Sequence, residues 1–356
     1  MNARKRKLRN IVSDLLRGVC FSESVSVLVK YLASFDSAGV DFLVLTTKED
    51  LIRLAESKRY DLILCVPPVN DFVEINDLLW QIREKLKPGG MLMGRAKTLE
   101  TKKISVLGRR SPAIYGIIFL YDFVFRRVLP TLLGLIHIVR KVGLTKHRIM
   151  SKCEALGRLR YCGYEILHLQ ESAGHLCFVT RPGTALMNGD PCEGVFIKIR
   201  KQGLNGRNFF CYKLRTMHPY ANYLHDYVLD NLEIDNNGKV VGDFRVPIWG
   251  KILRKLWLDE MPQLFNILKG ELTFIGLRHL SQEFLELYPD DWRKERMKIR
   301  PGFVPPYYAD CPKTFEGIIE SEKRYYRLRK KHPITTDIYY FMRVVINFLT
   351  LRARTG

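Results

Sequence analysis

Two adjacent carboxylates, Asp259 and Glu260, stand just ahead of Pro262. The chain around this pair is rich in basic side chains, among them Arg245, Arg254, Lys269, Arg278 and Arg300. Basic side chains neutralise the charge of a diphosphate, and a carboxylate pair can hold Mg²⁺ and supply a nucleophile or a base. These residue types together predict a site for phosphoryl chemistry.

The carboxylate pair also has a structural explanation. Acidic side chains near the start of a helix interact favourably with the helix dipole, and a proline such as Pro262 suits the first turn. An isolated Asp-Glu-x-Pro sequence favours this explanation over a catalytic one. The choice between the two therefore depends on the sequence that surrounds Asp259 and Glu260.

The net charge narrows the class of partner. Lys and Arg total 58 against 37 Asp and Glu in 356 residues, which gives a formal charge of +21. A surplus of this size indicates an anionic partner, and nucleic acid, anionic lipid and phosphorylated substrates all fit. The chain carries no helix-turn-helix, zinc or RNA-binding signature, so no nucleic-acid partner is predicted. The eight cysteines lack metal-ligand spacing and are expected to be reduced thiols of the protein core.

The first half of the chain alternates short apolar runs with helical patterns, which is typical of an α/β sheet. Residues 60–92 resemble the later half of a Rossmann-type methyltransferase, but the glycine-rich turn with which that family grips its cofactor is absent. Residues 1–182 are therefore expected to form an incomplete, non-catalytic Rossmann-like domain, followed by a linker over residues 183–192. The pattern predicts strands at 42–45 and 62–66, helices at 49–57, 75–86 and 151–161, and a hairpin of 165–169 with 175–180.

A series of motifs follows the linker. A β-hairpin is predicted from residues 195–199 and 209–214, and it ends in Lys-x-Arg-Thr-Met, which begins at Lys213. Next come Arg-x-x-x-x-Gly-Lys-x-x-Arg from Arg245, Leu-Asp-Glu-x-Pro-Gln-x-x-Asn-x-x-x-Gly from Leu258, and Arg-Pro-Gly from Arg300. Motifs in this order resemble the bacterial sugar transferases, which are monotopic polyprenyl-phosphate phosphoglycosyl transferases. The resemblance covers residues 193–354 and implies an α+β catalytic domain over residues 193–356.

In that family, the aspartate of the Asp-Glu pair attacks the β-phosphate of a UDP-sugar, expels UMP and passes the sugar phosphate to polyprenyl phosphate. This reaction initiates the synthesis of exopolysaccharide, capsule or O-antigen. The resemblance implies that Asp259 is the nucleophile and that Asp259 and Glu260 hold Mg²⁺. It also implies a location at the cytoplasmic face of the bacterial inner membrane, with peripheral or monotopic attachment to an anionic membrane surface. It implies phosphate-binding roles for Lys213, Arg215, Arg245, Arg254, Arg278 and Arg300.

Two departures from the family pattern leave a non-catalytic, regulatory relative as the alternative. Gly-Leu-Arg-His, ending at His279, replaces the family's Gly-Pro-Arg-Pro, and the His279 side chain is expected to pack in the core. The short polar stretch 184–193 replaces the long apolar helix that relatives carry before the hairpin. Residues 114–142 and a C-terminal helix over 337–349 are candidate substitutes for that anchor, and packing on its own domain is the alternative for each.

Overall fold

The computed structural model describes residues 41–47, 57–101, 150–172, 174–183, 194–233 and 240–350. The chain divides into two compact units: residues 1–193 with 218–245, and residues 194–217 with 246–356. Residues 218–245 thus interrupt the region that the sequence assigns to the second domain. Most of the predicted linker 183–192 and of the predicted helix 49–57, and all of the apolar tract 114–142, lie outside the described residues.

A five-stranded sheet in the order β1-β2-β3-β5-β4 forms the first unit. Strands β1, β2 and β3 pair in parallel, whereas the predicted hairpin, β4 with β5, joins β3 in antiparallel orientation. The predicted α/β class is therefore confirmed for this unit, with a mixed sheet. Its elements are β1 (Phe42–Leu45), β2 (Tyr60–Cys65), α1 (Ile75–Glu84), β3 (Leu86–Ala96), α2 (Lys152–Tyr161), β4 (Tyr164–Ser172), β5 (His175–Pro182) and α3 (His225–Asn231).

A buried ion pair on α2 fastens the interrupting segment to the first unit. The Arg158 and Glu154 side chains are 6% and 0% exposed, with 3.0 Å between the guanidinium nitrogen and the carboxylate oxygen. Arg158 also donates a hydrogen bond to the hydroxyl of the buried Tyr220, at 3.2 Å. The two ends of the segment meet where the His218 amide donates to the Arg245 carbonyl, at 2.9 Å. Residues 218–245 are therefore part of the first unit by packing, although their neighbours in sequence belong to the second.

The second unit begins with the predicted hairpin, formed by β6 (Phe196–Gln202) and β7 (Asn208–Leu214). Asn205 and Gly206 in its turn have φ angles of 54° and 72°, the left-handed conformation that tight connections between antiparallel strands use. Successive side chains of a strand point to opposite faces of a sheet. One face of the hairpin, the inner face, therefore carries the alternate residues Ile197, Ile199, Lys201, Phe209, Cys211 and Lys213.

Helices make up most of the remainder of the second unit. A short parallel pair of strands lies among them, and the side chains of Tyr325 and Tyr340, from the last two helices, are buried in the shared apolar core. The second unit is thus a mainly helical region with two small sheets. The further elements are α4 (Ile248–Lys255), α5 (Leu264–Leu268), β8 (Thr273–Ile275), α6 (Gln282–Leu285), α7 (Asp290–Met297), β9 (Gly302–Val304), α8 (Tyr307–Asp310), α9 (Phe315–Lys331) and α10 (Pro333–Leu349).

One side of helix α10 packs against the apolar core of the second unit. Tyr340 and Val344 on that side are buried, whereas Ile338, Met342 and Ile346, spaced by four residues, are exposed. Packing on its own domain, one of the two alternatives for this helix, is therefore observed for the Tyr340 side. Among the helices that the structure describes, none is both long enough and apolar enough to cross a bilayer.

The described cysteines are free thiols. The prediction of core positions is confirmed for five of them and is wrong for Cys311, which is exposed. Cys311 follows the last residue of α8 in a left-handed conformation, where the chain turns toward solvent after a single helical turn. The buried cysteines are Cys65, Cys153, Cys162, Cys177 and Cys211.

Candidate active site

The carboxylate pair lies in a 3₁₀ turn, Leu258–Gln263, that follows α4 and leads into α5. Trp257 enters this turn in the left-handed conformation, with φ 56°, which is strained for a bulky residue. Its ring packs against Tyr308 and Phe348, with centroid distances of 4.9 and 5.5 Å. Aromatic packing from α8 and α10 thus stabilises the change of direction that presents the carboxylates.

Glu260 is held by two neighbouring side chains. Lys213 on β7 lies 2.6 Å from one carboxylate oxygen, and the Gln263 amide nitrogen lies 3.2 Å from the other. The pair does occupy the first turn of a helical segment, as the structural explanation requires. Glu260, however, contacts side chains of the hairpin and of its own turn, so it joins Lys213 to the turn that carries Asp259.

Asp259 differs from Glu260 in its surroundings. Its carboxylate forms no ion pair or hydrogen bond with another side chain of the described residues, although Lys213 and Arg254 act on it electrostatically. Partial burial raises the pKa of Asp259, and the negative charge of Glu260 adds to this effect. A carboxylate that is partly desolvated and not engaged by a cation is suited to react as a nucleophile.

Arg254, at the end of α4, is positioned by Thr216. Its Nε atom donates a hydrogen bond to the Thr216 hydroxyl at 2.9 Å, and the Thr216 side chain is buried. Gly250 allows this approach, because a Cβ atom there would lie only 2.0 Å from the Thr216 carbonyl oxygen. Gly250 and Arg254, both in the motif that begins at Arg245, thus pack α4 against the residues that follow β7.

Arg278 is presented by a close approach of two backbones. A Cβ atom on Gly302 would lie 2.1 Å from the Gly276 amide nitrogen, so the glycine of Arg-Pro-Gly is required for this contact. The guanidinium of Arg278 is exposed, donates to the Tyr307 hydroxyl at 2.9 Å and interacts electrostatically with Glu260. The structure therefore places Arg278 near Glu260, the carboxylate that Lys213 contacts.

His279 lies buried between the hairpin and β9, which confirms its predicted packing role. Its Nε2 atom is 3.3 Å from Cys211 Sγ, and its Nδ1 atom is 3.4 Å from the Gly302 carbonyl oxygen. Burial lowers the pKa of His279 to about 4 and raises that of Cys211 to about 12. A neutral imidazole that donates a hydrogen bond from Nδ1 to the carbonyl and accepts one at Nε2 from the thiol satisfies all three groups.

Three of the predicted phosphate-binding residues have no described contact with Asp259 or Glu260. Arg215 donates from Nε to the Gly194 carbonyl at 2.5 Å. Arg245 belongs to the first unit and forms a two-pronged ion pair with Asp243, with a closest separation of 2.8 Å. Arg300 is exposed just before β9, and its side chain has no ion pair or hydrogen bond with the residues that the structure describes. Phosphate binding by these three residues stays a prediction.

Two neighbours of the site, Thr216 and Lys201, were not singled out from the sequence. Thr216 lies in the Lys-x-Arg-Thr-Met motif, and the motif itself is the signal that would have identified it. Lys201 shares the inner face of the hairpin with Lys213, and the alternation of the strand is the corresponding signal. Asn266, the asparagine of the motif that begins at Leu258, forms hydrogen bonds with the backbone of β7 at Phe210 and Tyr212.

The residues present fit a divalent cation whose coordination shell is completed by substrate oxygens and water. No group of three or more metal-ligating side chains occurs among the described residues. Mg²⁺ commonly takes only one or two carboxylates and completes its shell with phosphate oxygens and water. Beside Glu260, the buried Gln263 Oε1 atom has no hydrogen-bond donor in the described part of the chain. That oxygen can accept from a metal-bound water, so Asp259, Glu260 and Gln263 form a compatible set of donors.

The model of the bacterial sugar transferase family matches residues 179–349, which is close to half of the chain. These residues therefore belong to that family, as the order of their motifs predicts. The match contains every residue named above as part of the site.

Several curated proteins share this region. An uncharacterised sugar transferase, EpsL, from Bacillus subtilis is 37% identical over 111 residues, which is 31% of this chain and 48% of that protein. The exopolysaccharide production protein ExoY from Rhizobium meliloti is 38% identical over 129 residues, covering 34% and 55% of the two chains. The undecaprenyl-phosphate galactose phosphotransferase from Salmonella typhimurium is 36% identical over 97 residues, covering 26% and 20%. The chain spans about half the length, or less, of these relatives.

Solved structures resemble the chain only weakly. A methyltransferase from Clostridium acetobutylicum, dependent on S-adenosylmethionine, aligns with 51% of this chain and 100% of its own, at 9% identity and a TM-score of 0.28. A score this low establishes no shared fold, so the methyltransferase-like character of the first unit stays a prediction.

Proposed function

We propose that the chain transfers a sugar 1-phosphate from a UDP-sugar to polyprenyl phosphate, such as undecaprenyl phosphate, with release of UMP. The observation that carries the proposal is the contrast within the carboxylate pair: Lys213 and Gln263 hold Glu260, whereas Asp259 is unengaged. Relatives of the family region carry the names undecaprenyl-phosphate galactose phosphotransferase and UDP-galactose-lipid carrier transferase, which supports this choice of substrates.

The reaction takes place in two displacements at one phosphorus atom. An oxygen of Asp259 attacks the β-phosphorus of the UDP-sugar, and the bond from that phosphorus to the bridging oxygen breaks, so UMP leaves with the bridging oxygen. An oxygen of the lipid phosphate then attacks the same phosphorus and releases the Asp259 carboxylate. A covalent intermediate of this kind divides one difficult transfer into two easier steps and gives ping-pong kinetics.

The cations around the pair stabilise the charge that moves during these steps. Lys213, Arg254 and Arg278 surround the carboxylates from β7, α4 and the residues after β8. Fixed cations of this kind stabilise both the incoming diphosphate and the departing UMP. Asp259 and Glu260, with Gln263 beside them, would hold Mg²⁺, which neutralises phosphate charge when it is bound.

The exposed surface of α4 supports a location of the reaction at the membrane surface. Ile248, Ile252 and Leu256 lie four residues apart on or next to α4 and are exposed, with Lys251 and Lys255 beside them. An exposed apolar stripe with flanking lysines suits the headgroup region of anionic lipid. We therefore place the reaction at the cytoplasmic face of the bacterial inner membrane, with peripheral or monotopic attachment, in the initiation of a membrane glycoconjugate.

Purified full-length chain incubated with Mg²⁺, undecaprenyl phosphate and a panel of UDP-sugars tests the proposal by UMP release. We expect release with at least one sugar, and its loss by a factor on the order of 10⁴ in Asp259→Asn, because an amide cannot replace the nucleophile. Asp291→Asn, at an exposed position on α7, is the matched control and should retain full activity. Absence of UMP release with every sugar would instead favour the regulatory relative.

Flotation with lipid vesicles tests the membrane surface separately. Vesicles that contain phosphatidylglycerol should carry the wild-type chain, and Ile252→Asp should reduce the bound fraction, because it places a negative charge within the apolar stripe. Equal flotation of wild type and Ile252→Asp would show that α4 does not contact the membrane.

A further inference from the structure

Helix α8 contributes two adjacent tyrosines to the surroundings of the carboxylate pair. The Tyr307 hydroxyl accepts a hydrogen bond from Arg278 at 2.9 Å, and the Tyr308 ring packs against Trp257 with 4.9 Å between the ring centroids. Trp257 immediately precedes the 3₁₀ turn that carries Asp259, here called the catalytic turn. One short helix therefore contacts both the arginine and the start of the catalytic turn.

The internal hydrogen bonds of α8 are too few to fix its position. The helix spans only Tyr307–Asp310, and the chain leaves it at Cys311 in a left-handed conformation. A single helical turn is not stable alone, and its last carbonyl groups have no partners within the helix. The conformation of α8 therefore depends on contacts from other elements.

Asp310 provides the first of these contacts. Only 7% of its side chain is exposed, and its carboxylate accepts a hydrogen bond from the Ser321 hydroxyl at 2.7 Å. The same carboxylate pairs with the guanidinium groups of Arg324 at 2.8 Å and Arg343 at 3.3 Å. Ser321 and Arg324 belong to α9, and Arg343 belongs to α10. Charge-assisted bonds thus attach the end of α8 to both C-terminal helices.

Asn347 on α10 provides the second contact. Its side-chain amide donates to the carbonyl oxygens of Tyr308 and Ala309, at 3.0 and 2.8 Å. These bonds satisfy carbonyl groups at the end of a short helix. The next residue along α10, Phe348, packs against Trp257 with a centroid distance of 5.5 Å. Helix α10 therefore supports both Tyr308 and the ring that Tyr308 contacts.

We propose that Asp310 and Asn347 are positioning residues for the transfer reaction. They act through α8, whose two tyrosines orient Arg278 and support Trp257 at the start of the catalytic turn. The C-terminal helices thereby determine the geometry of the site. The effect on catalysis rests on the proposed function, whereas the effect on Trp257 can be measured without turnover.

Fluorine NMR of the full-length chain labelled with 5-fluorotryptophan tests the position of Trp257. The chain contains four tryptophans, and Trp257→Phe identifies the resonance of Trp257. Asp310→Asn keeps the size of the side chain but removes its charge, so it should shift or broaden that resonance and leave the resonance of Trp80, in the first unit, unchanged. Asp290→Asn, at an exposed aspartate that also pairs with an arginine, is the matched control and should change neither. An unchanged Trp257 resonance in Asp310→Asn would overturn the proposal.

Asn347→Ala loosens α8 without removal of a charge, and it provides the test if Asp310→Asn does not fold. Asn347 is partly exposed, and the substitution removes two hydrogen bonds between neutral groups. We expect the same Trp257 resonance to change, by less than in Asp310→Asn. An unchanged resonance in folded Asn347→Ala would also contradict the proposal.

Steady-state kinetics separate positioning from a loss of folded protein. Tyr307→Phe removes only the hydroxyl that accepts from Arg278, so the KM for the UDP-sugar should rise about threefold or more, with kcat within about twofold of the wild type. Tyr326→Phe, at a tyrosine of α9 whose hydroxyl bonds α7, is the matched control and should keep both constants. Asp310→Asn should raise the same KM and lower kcat about 10-fold, because the catalytic turn loosens. A kcat that falls only with the folded fraction, at an unchanged KM, would show that Asp310 is merely structural.

The double variant Asp310→Asn/Tyr307→Phe tests whether Asp310 acts on Arg278 through Tyr307. Because Tyr307→Phe already removes that path, the KM for the UDP-sugar should rise no more than in the more affected single variant. Rises in KM that multiply would show independent action and contradict the proposal. If the wild type releases no UMP but the Trp257 resonance responds to Asp310→Asn, the proposed function fails and the control of the turn by α8 stands. If UMP is released and neither the resonance nor KM responds, the positioning fails and the proposed function stands.

Discussion

The buried Glu154–Arg158 ion pair of the first unit and the Asp259–Glu260 carboxylates of the second unit differ in how their charges are engaged by neighbouring side chains. Glu154 and Arg158 on α2 form an ion pair with 6% of the Arg158 side chain exposed and none of the Glu154 side chain. Asn76 and Tyr220 accept further hydrogen bonds from Arg158. In the second unit, Lys213 holds Glu260, whereas Asp259 forms no ion pair or side-chain hydrogen bond among the described residues.

We interpret the paired Glu154 and Arg158 side chains as structural and the unengaged Asp259 carboxylate as a group that reacts with the substrate. The second unit also has a buried ion pair, Arg296 with Glu322, so paired structural ions and the unengaged Asp259 carboxylate occur in the same unit. Folded proteins satisfy nearly all buried polar groups, and the exceptions concentrate at functional sites, where stability is given up for activity. Each prediction below tests one side of that contrast.

The largest expected effect lies on the structural side. Arg158→Met leaves the buried Glu154 without a cation, and we expect the free energy of unfolding of the first unit to fall by about 3 to 5 kcal/mol. Urea and thermal unfolding of the full chain measure this loss. Arg181→Met is the matched control, since Arg181 and Glu165 form an exposed pair with side chains 48% and 44% exposed. It should change stability by less than about 1 kcal/mol. Equal losses in both variants would contradict the contrast.

Glu260→Gln should reduce the activity of the chain and leave its stability nearly unchanged. It weakens the bond to Lys213 and removes one carboxylate from the proposed Mg²⁺ site, so UMP release should fall by about 10²- to 10³-fold while the chain stays folded. Added Mg²⁺ should recover part of the activity. Glu283→Gln, at an exposed position on α6, is the control and should leave the rate intact. A loss of about 1 to 2 kcal/mol of stability at an unchanged rate would support a helix-capping role instead.

The pH dependence of stability tests His279. Its folded pKa of about 4 lies below the unfolded value of about 6.5, so the folded state binds fewer protons between these values. No stability is lost above the unfolded value, and up to about 3 kcal/mol is lost as pH falls toward 4. His279→Gln should reduce this loss in unfolding measured from pH 8 to pH 4. His332→Gln, at an exposed histidine, should leave the profile as it is in the wild type. Parallel profiles for wild type and His279→Gln would contradict the buried, neutral imidazole.

The smallest expected effect is a gain in the stability of the fold on substitution of Asp259. Burial raises the pKa of Asp259, so the folded state holds its proton more tightly than the unfolded state. Stability from this group is therefore present at low pH and declines as pH rises through the folded pKa. Asp259→Asn removes that decline, and its melting temperature should exceed that of the wild type at pH 7 and match it near pH 3. A lower melting temperature at pH 7 would show that the Asp259 carboxylate stabilises the fold.

Local sequence predicted those features of the site that depend on neighbouring residues. The hairpin and the turn that carries Asp259 and Glu260 follow from glycine turns, a proline and strand alternation. The contact between Lys213 and Glu260 bridges 47 residues, and the resemblance to the family implied it only as proximity to the site.

Features that depend on distant packing were not predicted. Arg245 lies five residues before Gly250 in one motif, yet it belongs to the first unit, because Tyr220 and α2 hold residues 218–245 there. Nothing in the sequence around Arg245 indicates this packing. Lys201 was missed for a related reason: alternation shows which residues share a face of a strand, but not which face other elements cover.

Peptide mass spectrometry tests the central claim most directly, because it detects the covalent intermediate itself. Wild-type chain is exposed briefly to the UDP-sugar that supports UMP release, with Mg²⁺ and without acceptor, and is then digested. We predict an added mass of one sugar phosphate on the peptide that contains Asp259, its loss when undecaprenyl phosphate is added, and its absence from Asp259→Asn. An adduct on a different residue, or full UMP turnover by Asp259→Asn, would contradict the account.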